Sequence, residues 1–138
     1  MKQKNSIATS FFIALMVIHA VVEIGVGLAG LINFQVALEQ GFKIQYTPDL
    51  EILGLVIGLQ LLLLGALSIL SILWTRQKKS AGPVVGLFVA SYILIFGLMA
   101  FFRFGEVQAL YIDSLRGSLT VIFGFLAYKE LKNIETNG

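Results

Sequence analysis

The sequence predicts an all-α integral membrane protein, a four-transmembrane-helix antiparallel up-and-down bundle with N and C termini cytoplasmic. Three observations carry that prediction. The 138 residues are 57% hydrophobic and only 13% charged, whereas a soluble domain is about half apolar. The excess is gathered into four long apolar stretches, against the roughly 20 residues a helix needs to cross about 30 Å of hydrocarbon. Short polar turns separate them, so consecutive helices become antiparallel neighbours. The chain reads as a single transmembrane domain, 1–138, with helices near 7–34, 48–74, 83–103 and 107–131.

Orientation follows from where the bases lie. Lys2 and Lys4 precede the first helix, Arg76, Lys78 and Lys79 fill the turn between the second and third, and Lys129 and Lys132 follow the fourth. Lys43, Arg103 and Arg116 are left for the opposite half. The positive-inside rule then places both termini in the cytoplasm, with Trp74 and Tyr128 near the same interface. Lys2 and Lys4 ahead of an apolar run imitate a secretory signal. The run is too long and no A-x-A-like site closes a shorter one, so it reads as a retained first helix.

The first helix carries a stripe. Phe12, Met16, His19, Glu23, Gly27 and Gly30 recur at three- and four-residue spacing and share one face. Gly25, Gly27 and Gly30 let another backbone approach closely. Residues 35–50 form the one sizeable extramembrane segment, on the outer side. Thr47-Pro48-Asp49 starts the second helix with a capping hydroxyl, a first-turn proline and an acid near the positive end of the dipole. Gly54, Gly58 and Gly65 then form a small-residue stripe on the face of Glu51, and Gln60 points away from it. Pro83 opens the third helix, whose Gly86, Ala90, Ile93, Gly97 and Ala100 make another packing seam. Tyr92, Met99 and Arg103 share a neighbouring face. Between Arg116 and Tyr128 only about a dozen residues, roughly 18 Å of helix, face a core of about 30 Å. The fourth span therefore recruits Val107–Ile112, which puts Asp113 and Arg116 inside the hydrocarbon, three residues apart and able to pair. Lys129-Glu130-x-Lys132 is a wet helix end.

The short first span, the acid opening the second (Leu50-Glu51-Ile52-Leu53-Gly54) and the basic turn before the third give an outline that resembles the small four-helix bacterial membrane families of the DoxX-like kind. The resemblance is one of layout and glycine-rich apolar texture. It implies the four-helix membrane fold and carries over no residue and no activity.

A charge near the middle of the bilayer costs several kcal/mol unless paired, hydrated or neutralised. His19 sits near the centre, Glu23 one turn further out, Arg116 at similar depth, and Asp113 beyond it. Glu51, Arg103 and Glu106 ring the outer mouth. Glu23 and Arg116 are expected as interhelical partners, with Asp113 orienting the arginine. The ligand-binding or proton-coupling set is therefore His19, Glu23, Asp113 and Arg116, with Glu51, Gln60, Tyr92 and Arg103 at the mouth or behind that set. The blander reading is an ion pair that fixes helix register and has no ligand.

Several classes of function are excluded or disfavoured. Without cysteine there is no disulfide, thiol catalysis, thiolate metal site or iron–sulfur cluster. His19 and Glu23 have i, i+4 ligand geometry, yet one histidine and no cysteine leave a metal site incomplete, so no metal and no cofactor are expected. A net charge of +2 without a basic–aromatic surface argues against nucleic acid. No catalytic residues are assigned, because G-x-S-x-G, H-E-x-x-H, P-loop and dinucleotide glycine patterns are absent. The expected function is binding or transport of a small polar, ionic or amphipathic ligand from the extracytoplasmic side. One alternative is an accessory or structural membrane subunit; a second is an enzyme acting on a lipid-like substrate. Expected partners are membrane lipid, a small-molecule or lipid-like ligand, and further copies in a homo-oligomer. The expected location is the cell membrane, multi-pass, in a bacterial inner membrane.

Overall fold

The computed structural model describes residues 6–36, 39, 45–105, 107 and 110–137, and among these every regular element is helical. Lys2, Lys4, Lys43 and Glu106 lie outside the described residues. The long helices are α1 (Ile7–Ile32), α2 (Leu50–Arg76), α3 (Ala81–Phe104) and α4 (Leu115–Asn137). A single helical turn, Phe34–Val36, follows α1, and a π-helical turn, Leu110–Ser114, leads into α4.

Local sequence sets the ends. The Thr47 and Pro48 carbonyls accept from the Leu50 and Glu51 amides, so the expected Thr47-Pro48-Asp49 start is a turn immediately before α2. The Lys79 amide reaches back to the Trp74 carbonyl around Lys78, whose φ of 63° stops α2. Gly105 ends α3 with φ 70°, donating to Phe101 at 2.8 Å, a left-handed cap that glycine adopts without a Cβ clash.

Three helices are long and apolar enough to cross a membrane among the described residues: Ile7–Ile32, Leu50–Arg76 and Ala81–Arg103. Helix α4 falls short for a physical reason. Arg116 near its start and Lys129, Glu130 and Lys132 near its end confine its apolar run to about a dozen residues, roughly 18 Å. Instead of one helix over 107–131, the structure has a π turn feeding a helix that continues to Asn137.

Contacts group the chain into two compact units, one of Met1–Ile18 with Leu67–Gly138 and the other of His19–Ala66. In the first, α2 and α3 form a tight hairpin: the Ser71 hydroxyl donates to the Gly82 carbonyl at 2.7 Å, and a Cβ on Gly86 would lie 2.7 Å from Ser71 Oγ. Gly117 of α4 lies against Ala90 and Leu94 of α3, and Gly124 against Leu87 and the ring of Phe12. Phe11 stacks on Phe123 with centroids 5.2 Å apart. These pairings run antiparallel between α1 and α4, α2 and α3, and α3 and α4. Hydrogen bonds close one end. Glu130 accepts from the Ser6 hydroxyl, the Thr9 hydroxyl at 2.6 Å and the Ser6 amide at 3.3 Å. Glu135 accepts from the Ser80 hydroxyl at 2.6 Å and the Ser80 amide at 2.8 Å.

In the second unit, α1 and α2 meet through glycine. A Cβ on Gly27 would lie 3.0 Å from the Gly58 carbonyl oxygen, one on Gly58 would lie 2.9 Å from Leu31, and one on Gly65 would lie 2.5 Å from Ile24. Gly54 takes the ring of Phe34. The small-residue face is what allows this approach.

Beside the buried Phe12, Met16, Val89 and Leu131 the interior holds many polar side chains, and large apolar ones lie outside. Thr9, His19, Glu23, Ser68, Ser71, Thr75, Ser114 and Thr120 are buried, whereas Val21 is 68% and Phe88 63% exposed. That pattern is the one expected of helices long and apolar enough to cross a membrane, where lipid leaves polar groups only other protein groups to bond.

Candidate functional site

His19 and Glu23 stand one turn apart on the buried face of α1. His19 is fully buried and Glu23 is 4% exposed, in line with the buried Phe12, Met16 and Gly27. The 3.6-residue period of the stripe makes this placement unavoidable once α1 packs on that face. Neither side chain lacks an interaction. Just beyond Glu23, Gly27 brings the α2 backbone in at Gly58 and Leu62, which leaves no room for a larger residue.

Arg116 donates to Asp113 at 2.9 Å, with the arginine side chain 10% and the aspartate 27% exposed. Asp113 belongs to the π turn and Arg116, three residues on, to the first turn of α4. Two contacts anchor the arginine's backbone. The Thr120 hydroxyl donates to the Arg116 carbonyl at 2.8 Å, and Gly117 rests against the Ala90 carbonyl of α3. Such an ion pair is neutral overall and still offers guanidinium and carboxylate edges to a polar ligand.

Of the eight residues expected to build the site, the structure brings Asp113 and Arg116 into contact and sets His19 and Glu23 one turn apart. Glu23 belongs to the unit His19–Ala66 and Arg116 to the other. Glu51 is exposed in the first turn of α2, Arg103 is exposed in the last turn of α3, and Tyr92 is half-buried. Gln60 is exposed midway along α2 and has an interaction partner. Among the described residues no group of three or more His, Asp or Glu could hold a metal ion.

Sequence reading missed the hydroxyls. Ser68, Ser71 and Thr75 recur at i, i+3 and i+7 on α2 and are fully buried. The spacing that flagged the glycines would have flagged them. Ser114 Oγ and Thr75 Oγ1 are buried with no hydrogen-bond partner among the described residues. The π turn had no signal in the sequence, because an apolar run reads the same with one residue more per turn.

Compared with known proteins, the chain matches no family model, no curated protein and no solved structure at a significant level.

Proposed function

We propose that the chain crosses the cell membrane four times and binds or moves a small polar, ionic or amphipathic ligand that enters from the extracytoplasmic side. The fourth crossing is supported by the closed end of the first unit. If α4 lay outside, about 30 Å of hydrocarbon would separate it from the α2–α3 turn, yet Ser80 bonds Glu135 directly. The layout suits a bacterial inner membrane, and one chain of four helices leaves so little room for a pathway that a homo-oligomer is the working form.

The observation that carries the ligand reading is the burial of His19 and Glu23 in a helix otherwise apolar enough to cross a bilayer. Ionisable groups inside membranes are rare and face interiors or pathways. In this reading the His19 and Glu23 face of α1 and the Asp113–Arg116 pair are the polar groups that the ligand meets. A second reading, an accessory subunit with charges that only fix register, is favoured by the Asp113–Arg116 pair, which is neutralised within one helix turn.

Native mass spectrometry of the full chain released from nanodiscs separates the two. The ligand reading expects a small molecule retained by the wild type and lost in Glu23→Gln and in Arg116→Leu. A bare protein, with an interaction energy of about 1–3 kcal/mol between those two changes in unfolding, would hand the case to the register reading.

A further inference from the structure

A cavity of about 210 Å³ lies within the unit His19–Ala66. Its wall includes Gly30, Leu31 and Ile32 from the last turn of α1, the rings of Phe34 and Tyr46, and Glu51 from the first turn of α2. Three features of this wall share one electrical preference. The last turn of α1 carries the negative end of its dipole, and that turn holds no basic residue. Glu51 is the one formally charged side chain among the described lining residues. Phe34 and Tyr46 meet edge to face, centroids 6.5 Å apart at 74°, and an aromatic face attracts a cation.

An anion would be disfavoured by each of these groups, and a neutral ligand would use their hydrogen-bond acceptors and ring surface but not their shared negative potential. A divalent metal ion takes about six oxygen ligands, and among the described residues Glu51 belongs to no group of three or more His, Asp or Glu that could hold one. The volume is below the roughly 300 Å³ at which pockets for drug-sized ligands begin. We propose that this cavity binds a small organic ammonium ion, held by Glu51 and the last turn of α1 and stacked on Tyr46 and Phe34. The ammonium comes either from a free amine or from a lipid headgroup, which have the same recognition chemistry. The proposal shares only Glu51 with the buried site and stands if that site is purely structural.

The test uses the full chain in nanodiscs of phosphatidylglycerol alone, titrated with tetramethylammonium chloride against sodium chloride at matched ionic strength. Saturation-transfer NMR on the methyl protons reads occupancy, and circular dichroism checks that each variant keeps its helices. Saturable binding is expected, weakened about tenfold or more in Glu51→Gln and severalfold in Tyr46→Leu. Tyr46→Phe, which keeps the ring, restores what Tyr46→Leu loses. In nanodiscs containing phosphatidylcholine, loss of free-ion binding identifies the headgroup as the ammonium source, and undiminished binding identifies a free amine. No saturable binding, or binding indifferent to Glu51→Gln, overturns the proposal. Displacement by calcium with no effect of Tyr46→Leu overturns it too, in favour of an inorganic cation site.

Discussion

A Cβ placed on Gly82 would collide with the backbone nitrogen and the hydroxyl of Thr75, while one placed on Gly25 would meet nothing within 4 Å. The two glycines are equally conspicuous in the sequence, and only packing separates them. Gly82→Ala pushes α3 off α2 at the point where Ser71 bonds the Gly82 carbonyl, so it should cost about 1–3 kcal/mol, the usual range for overpacking. Gly25→Ala replaces a poor helix former with the best one in open space and should be neutral or stabilising by up to about 1 kcal/mol. Reversible unfolding in mixed micelles measures both, and equal losses at the two positions would contradict the packing described. The same distinction limits what can be read at His19 and Glu23. Their shared face follows from the spacing to Phe12 and Met16, but periodicity fixes only which residues face inward. It does not say which opposing residues they meet.

The end of α4 reads in the sequence as a solvated acid between two lysines, yet Glu130 receives two hydroxyls and an amide from the start of α1. That pairing was not legible because its partners lie 121 and 124 residues away, and no local pattern encodes so distant a contact. It has a pH signature. Partial burial pushes the Glu130 carboxyl up, but the Ser6 and Thr9 hydroxyls, the Ser6 amide and the Lys78 charge outweigh it and bring it below its ordinary value. Glu135 is also lowered, chiefly by the Ser80 hydroxyl and amide. A carboxyl lowered in the folded state stabilises the fold above its unfolded value of 4.5 and loses that contribution as pH falls through the folded value. Stability should therefore hold from neutral pH to about 5 and decline below 4.5 as both acids protonate. Glu130→Gln should cost about 1 kcal/mol at neutral pH, a charge-assisted bond discounted for solvent, and flatten most of the acid decline. A Glu130→Gln protein that keeps the full decline would assign the effect elsewhere. The helices themselves were legible from apolar length and turn chemistry, to within a few residues at most ends. The π turn that carries Asp113 was not.

Buried hydroxyls and the buried Glu23 lie beneath an exterior rich in apolar side chains, and of these features only the apolar excess was legible in the composition. What composition leaves open is how often the chain crosses. Three spans satisfy length and hydropathy, and a three-span chain would place its C-terminal end on the side opposite its start. The bonds from Ser6 and Thr9 to Glu130, and from Ser80 to Glu135, hold these segments together, which is what supports the four crossings proposed above. Arg76, Lys78, Lys79, Lys129 and Lys132 lie in or beside them, so on the proposed four-span reading the positive-inside rule assigns that end to the cytoplasm. The chain has no cysteine, so single cysteines placed at the exposed positions Gln45, Gln77 and Asn137 report sidedness against a clean background. With a membrane-impermeant maleimide on sealed vesicles of known orientation, Gln45→Cys should label from the extracytoplasmic face, and Gln77→Cys and Asn137→Cys from the cytoplasmic face. Labelling of Asn137→Cys together with Gln45→Cys would mean three crossings. It would also take Asp113 and Arg116 out of the hydrocarbon, removing the reason to read them as a buried site.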